Sequence, residues 1–324
     1  MSVHRGVDPV FAYKRALELI DDPDAQGEAL ELMRYSAEAG HPEAEAEYGS
    51  ILSEGYVVER DYEEALEWFR KAADKGMDSA IYEVGMAYFD GKGVEQDKNE
   101  AYSWLLMAAE LGYSQAQMQI GRMHEYGYGV NKDPNEALRW YAQASDRGLP
   151  EARVAKADMM LLSGGANADF HKAMKLYRQA SDAGHPDGDY KLGLLYYRGK
   201  GIPQNFMAAA RSFRNGAEKG HDGCGYMLGK MYAEGRGVEK DKSTAIKYLS
   251  TASRKGNAEA KEYLIELTSK DNVMWDDGKP EEEEFVQLNT PDLMSKSRIP
   301  ISGISDINPD VQKKKRGFFS RFRK

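Results

Sequence analysis

The chain has 324 residues, a formal net charge of −9 and one cysteine, Cys224, which excludes an intrachain disulfide and argues against an oxidising compartment. The N-terminus lacks the apolar core of a secretory signal, Ser2 excludes N-myristoylation, and no apolar run approaches the roughly 18 residues of a membrane-spanning helix, so a cytoplasmic protein is expected. Ten acidic and ten basic residues cancel between Asp271 and Lys324, so the preceding part carries the whole excess, and a surface that acidic is a poor match for nucleic acid.

Residues 1–40 read as an N-terminal pair of capping helices. They lead to seven glycines at one fixed spacing: Gly40, Gly76, Gly112, Gly148, Gly184, Gly220 and Gly256, each 36 residues after the last. A period in this range is the signature of stacked helical repeats. Four residues after each glycine stands a small residue: Ala44, Ala80, Ala116, Ala152, Gly188, Cys224 and Ala260. Nine residues after stand Gly49, Gly85, Gly121, Ala157, Gly193 and Gly229. Twenty-five residues after, the residue is always alanine: Ala65, Ala101, Ala137, Ala173, Ala209 and Ala245. Small residues at fixed positions let two antiparallel helices approach closely.

Each unit from 41 to 256 therefore predicts two helices. The first ends at a glycine-rich turn such as Asp90 to Val94, Tyr126 to Val130 or Glu234 to Val238. The second starts at an N-cap: Asp61, Asp97, Asp133, Asp169, Asn205 or Asp241. Glu64, Glu100 and Glu136 stand three residues further on and predict capping boxes. Trp68/Phe69, Trp104/Leu105, Trp140/Tyr141, Leu176/Tyr177, Phe213 and Tyr248/Leu249 are expected in the core. The unit 149–184 departs from the pattern, with its turn glycines displaced to Gly164 and Gly165. Either the sequence has drifted there or the array bends.

This consensus resembles the Sel1-like repeat family, a relative of tetratricopeptide repeats. The resemblance covers roughly Asp8 to Lys270. It implies an all-α, right-handed α/α superhelical solenoid whose first helices line a concave face, and adaptor or scaffold work in complex assembly. On that architecture the groove positions are about six, ten, thirteen and fourteen residues after the terminal glycine. The expected partner-binding residues are Tyr82, Met86, Phe89, Met118, Arg122, Tyr126, Tyr190, Leu194, Tyr197, Arg198 and Tyr226. Tyr, Met and Arg rimmed by charge suit a protein interface. The competing reading, strongest for the column at six, is that these side chains pack between neighbouring units.

Residues 257–270 read as one closing helix. Beyond it 271–312 reads as a disordered acidic linker, and 313–324 as a basic, aromatic tail. Lys313, Lys314, Lys315, Arg316, Phe318, Phe319, Arg321, Phe322, Arg323 and Lys324 suit an anionic membrane surface, which would place the protein at the inner face of a membrane. A docking peptide for another protein, a contact with the chain's own acidic repeats, nucleic-acid binding and a plain extension are the other readings.

No residue set proposes catalysis, a cofactor or a metal. His41, His185 and His221 share one repeat column a unit or more apart, and His124 replaces a packing tyrosine. The Gly-x-Gly turns lack the Lys-Ser/Thr ending of a phosphate loop. Cys224 sits in the small-residue column, and the cysteine pairs linked to β-lactam recognition in some secreted relatives are missing. The expectation is a non-catalytic adaptor holding a protein partner in its groove. The alternatives are a bacterial effector or regulatory protein acting on a host or signalling partner, and a cell-wall hydrolase.

Overall fold

The computed structural model describes residues 6–55, 57–165 and 168–272. The linker and the basic tail contacts expected from Lys313 to Lys324 lie outside them. The described residues form helices only. α1 (Pro9–Leu19) and α2 (Gln26–Glu38) pair first. Then follow α3 (Pro42–Glu54) with α4 (Tyr62–Asp74), α5 (Asp78–Asp90) with α6 (Lys98–Glu110), and α7 (Ser114–Tyr126) with α8 (Pro134–Asp146). α9 (Pro150–Gly164) pairs with α10 (Phe170–Asp182), α11 (Pro186–Arg198) with α12 (Phe206–Glu218), and α13 (Asp222–Glu234) with α14 (Lys242–Arg254). α15 (Ala258–Asn272) follows alone. Among the described residues no helix is long and apolar enough to cross a membrane.

Helix starts and stops follow local chemistry. Asp61, Asp97, Asp133, Asp169, Asn205 and Asp241 each accept a backbone N–H of the first turn that follows, so the expected caps are present. The first helices use histidine in the same way: Nδ1 of His41 accepts from Ala44 N at 3.4 Å and Nδ1 of His221 from Cys224 N at 3.1 Å. His41 and His221 are thus caps, whereas His185 of the same column makes no such bond. The capping boxes do not form. The N–H groups of Asp61, Asp97 and Asp133 donate instead to the carbonyls of Leu52, Tyr88 and His124, at 3.1, 3.0 and 2.9 Å. The turn folds the cap residue back onto the first helix, so its N–H is already satisfied. Glu64 and Glu100 are released to accept the indole N–H of Trp68 and Trp104, at 3.2 and 2.9 Å.

The core is built from the small columns. In α7, a methyl group added at Gly121 would overlap the Tyr141 ring of α8, so only glycine allows the ring to lie on the helix backbone. Tyr141, Phe213, Leu105 and Leu249 are fully buried at the equivalent positions of the second helices. Each helix packs chiefly on the helices before and after it. The helices up to Thr268 form one compact unit; Ser269–Lys324 is a separate one, described only as far as 272.

Three devices tie one unit to the next. The turn between α7 and α8 lays Gly129, at φ +69°, against the Lys98 carbonyl at the start of α6. Gly93 lies in the same way on Tyr62, and Gly237 on Phe206. Second, Lys75 Nζ donates to Gly40 O at 2.9 Å and to the buried Glu45 at 2.6 Å, while Lys219 Nζ donates to Ser181 O at 2.8 Å and the buried Asp189 at 2.5 Å. Lys255 Nζ repeats the first half of this latch on Gly220 O at 2.8 Å. Third, arginines of α4, α10 and α12 donate to the tyrosine hydroxyl of the following first helix: Arg70 to Tyr88, Arg178 to Tyr196 and Arg214 to Tyr232.

The unit 149–184 keeps its period. α9 has 15 residues where the neighbouring first helices have 13, and it ends at Gly165 with φ +50°. Asp169 still caps α10 at the usual column. The displaced glycines lengthen one helix at the expense of the turn. Ala166 and Asn167, in that turn, lie outside the described residues. First helices also meet each other directly, α9 against α11 and α11 against α13, which puts their row on the inner side of the curve.

Candidate functional site

The inner face is the candidate site. Positions three, seven, ten and fourteen after the terminal glycine lie within one helical face, because side chains three and four apart stack on the same side. At the middle of the row, α7, α9 and α11 enclose a pocket of about 390 Å³. Arg122, Glu125 and Tyr126 come from α7, Glu151 and Asp158 from α9, and His185, Asp187 and Lys191 from the start and body of α11.

The polar groups of this pocket are only partly matched. Asp158 accepts from Lys191 Nζ at 2.7 Å and from the Tyr177 hydroxyl at 2.5 Å. Glu125 accepts from the Tyr141 hydroxyl at 2.5 Å. Burial, followed by these carboxylates, pushes the Tyr141 and Tyr177 hydroxyls far above the ordinary tyrosine range, so both stay protonated donors. Asp187 faces His221 Nε2 at 3.1 Å, and that hydrogen bond holds its carboxyl below the usual range. Glu151 Oε1 lies 3.6 Å from His185 Nε2, while Glu151 Oε2 and His185 Nδ1 are buried atoms with no hydrogen-bond partner. Buried polar atoms left without partners are uncommon and mark places where another molecule can supply them.

The expected groove residues divide into two sets. The column at six is largely joint packing. Met118 is only 8% exposed and packs with Tyr141, Ala144 and Ala152. Tyr82 leans on Tyr113 across the joint with ring centroids 5.2 Å apart, and burial pushes its hydroxyl up to about 12. Tyr190 stacks on His221 at 4.7 Å and Tyr226 meets Tyr263 edge-on at 6.5 Å. Met118 is apolar at a column that faces the joint, so it forms the pocket floor. The columns at ten, thirteen and fourteen stay accessible. Arg122 and Arg198 are exposed, and Met86, Phe89, Leu194 and Tyr197 are half-buried. Tyr126 is 53% exposed and stacks on Tyr128, which meets Phe89 edge-on and carries Lys98 Nζ 4.4 Å over its ring. Tyr197 accepts from Arg236 at 3.0 Å.

The charged and imidazole groups of the pocket other than Arg122 are absent from the expected set: Glu125, Glu151, Asp158, His185, Asp187 and Lys191. Glu151 and Asp187 at column three, Lys191 at column seven and Asp158 at column ten share one helical face, and that spacing was the signal available in the sequence. A second, smaller pocket of about 180 Å³ lies between α3, α4 and α5, lined by Met86 together with Glu54, Glu83 and Asp90.

The repeat geometry and the family comparison coincide. The Sel1 repeat model matches residues 22–41, 42–77, 78–113, 114–149, 151–185, 186–221 and 226–257. The chain belongs to the Sel1 repeat family. The first match opens at residue 22, so α2 is itself the second half of a repeat. Repeats of this kind serve protein–protein contact, and the scaffold is generally non-catalytic. Among solved structures, a Sel1 repeat protein from Oxalobacter formigenes is 28% identical, with a TM-score of 0.65 over 76% of this chain and 99% of that one. A protective antigen of uropathogenic Escherichia coli with the same repeat fold is 27% identical, with a TM-score of 0.65 over 82% of this chain. The chain spans only 58% of that antigen's length. No curated protein matches the chain.

One further carboxylate of this Sel1 repeat array faces an unusual environment. Burial pushes Glu47 of α3 up from 4.5 to about 8. Between those values the folded chain holds a proton that the unfolded chain has released, so stability falls as pH rises through this window. Glu47→Gln is expected to leave stability at pH 4 unchanged and to raise it at pH 9 by about 1–3 kcal/mol. Thermal unfolding of both proteins at the two pH values checks this; parallel pH profiles would show that Glu47 titrates normally.

Proposed function

We propose that this Sel1 repeat protein is a non-catalytic adaptor whose inner face holds a segment of a partner protein. The observation that carries the reading is the central pocket. It joins three successive first helices, and it presents the exposed Arg122 guanidinium beside two buried polar atoms, Glu151 Oε2 and His185 Nδ1, that no described residue satisfies. Accessible aromatic surface at Tyr126 and Tyr128 borders it. Interfaces draw their affinity from such aromatic and arginine anchors in desolvated pockets. In this reading residues 41–256 are the binding array, 1–40 and 257–270 close its ends, and 271–312 links it to the tail 313–324. The tail tethers the assembly to a second protein or to the anionic inner surface of a membrane, which keeps the protein cytoplasmic.

Photo-crosslinking in the native cell tests this. A photoreactive phenylalanine at Tyr126 or Leu194 is expected to trap one and the same protein, and one at Arg211, exposed on α12, is expected not to. Adducts from Arg211 alone would move the binding surface to the second helices and end the groove reading.

A further inference from the structure

We infer that the segment held in the groove is basic, and that two of its long cationic side chains anchor in two acid-rimmed pockets of the inner face. This inference rests on the groove reading above and names the chemistry of its partner.

The first pocket lies between α3, α4 and α5. Leu66, Phe69 and Met86 make an apolar floor, and Glu54, Glu83 and Asp90 stand around it. Lys92, in the same rim, is held by Asp90 at 2.7 Å. An apolar floor ending at carboxylates fits the side chain of lysine or arginine, whose alkyl stem lies on apolar surface while its charged head reaches polar groups. The cavity of about 180 Å³ is of the size of one such side chain.

The second is the central pocket. Four carboxylates, Glu125, Glu151, Asp158 and Asp187, face two permanent cations, Arg122 and Lys191. Lys191 is used up on Asp158 at 2.7 Å. Glu151 keeps a buried oxygen with no donor. A guanidinium or ammonium of the partner supplies that donor and offsets the remaining charge. The two pockets agree in sign with the array as a whole, which carries the entire −9 of the chain. Complementary charge also steers encounter and suppresses partners of the wrong sign.

The spacing follows from the repeat. The first pocket lies between the first helices of two neighbouring units, and the second is centred on α9, some two and a half units away. With about 10 Å between packed helices the anchors are about 25 Å apart. An extended chain covers that distance in about eight residues, and the even spacing turns both side chains to the same face.

The test uses the full-length protein and synthetic twelve-residue peptides of serine and alanine. One peptide carries two arginines eight residues apart, one carries a single arginine, and two carry norleucine or glutamate in both places. Binding is measured by fluorescence anisotropy at low salt. The two-arginine peptide is expected to bind at least about tenfold tighter than the single-arginine one, and the norleucine and glutamate peptides not measurably. Glu83→Gln and Glu151→Gln are each expected to weaken it about three- to tenfold, and together to remove its advantage. Methyl NMR on the unmutated protein reports the same sites without any substitution: Met86 and Met118 signals should both shift with the two-arginine peptide. Equal binding of the norleucine peptide, equal affinity for one and two arginines, or unmoved Met86 and Met118 signals in the bound state would each overturn the inference. Its failure is separable from that of the groove reading: a partner crosslinked at Tyr126 and Leu194 whose binding ignores Glu83 and Glu151 leaves the groove occupied and only the basic anchors wrong.

Discussion

Replacing Gly129 by alanine is expected to destabilise the array by about 3 kcal/mol or more and to turn one unfolding transition into two. Two separate terms add. Gly129 has φ +69°, where an L-residue is disfavoured by about 1–2 kcal/mol. The new methyl would also overlap the Lys98 carbonyl at the start of α6, which belongs to the preceding unit. A backbone carbonyl in a helix cannot swing aside, so the joint between 112 and 113 must open. Repeat arrays are held by neighbour contacts alone, so weakening one joint uncouples the two sides. Gly127→Ala is the control. Its φ is +78°, yet its methyl would meet nothing closer than 3.6 Å, so only the conformational term of about 1–2 kcal/mol applies. Urea unfolding followed by circular dichroism compares the two. Equal destabilisation would show that the second glycine of the turn contributes nothing to the joint.

Lys219→Met is expected to destabilise by about 3–5 kcal/mol, because it strands the Asp189 carboxylate. Asp189 is 1% exposed and accepts from Lys219 and from the Ser181 hydroxyl, at 2.5 and 2.7 Å. The chain itself contains the rescue. At the same two columns the unit 77–112 has Ile81, buried, and Leu111. Lys219→Leu with Asp189→Ile is therefore expected to return to within about 1 kcal/mol of the native protein, since a buried ion pair replaced by apolar residues is often neutral. Lys255→Met removes only a bond to the Gly220 carbonyl and should change stability by no more than about 1 kcal/mol. The double variant being no better than Lys219→Met would show that the pair does more than neutralise a charge.

Much of the fold was legible because its determinants repeat in every unit. The terminal glycines, the alanine column and the aspartate caps each answer one local requirement, a left-handed stop, a close helix contact or an orphan N–H, and that requirement recurs every 36 residues. The latches were not legible. Glu45 with Lys75 and Asp189 with Lys219 occupy columns held elsewhere by Ile81 with Leu111 and by Arg153 with Ala183, so no column average shows them. The capping boxes failed for a tertiary reason, the cap N–H having found a carbonyl of the preceding helix. The site was half legible. Arg122 and Tyr126, which line the central pocket, follow from helical spacing, whereas Met118 lies buried at the joint as that pocket's floor, because its apolar side chain suits a joint as well as a groove. Glu151, His185 and Lys191 belong to one pocket only once α7, α9 and α11 stand side by side.

The latches also set how the array deforms. Lysine closes the joints at Gly40, Ser181 and Gly220, and the Arg147 guanidinium lies beside Gly112. At the joints after Gly76 and Gly148 the same position holds Leu111 and Ala183, and no side chain reaches back to the preceding glycine carbonyl. The joint after Gly76 still keeps the Gly93 contact on Tyr62 and the Arg70–Tyr88 hydrogen bond, whereas the joint after Gly148 has none of the three devices among the described residues, so these ties leave the array most compliant after Gly148. That joint, between α8 and α9, passes through the pocket at α7–α11. A segment bound in that pocket would cross the most compliant joint of the array, so occupancy is expected to change its curvature there.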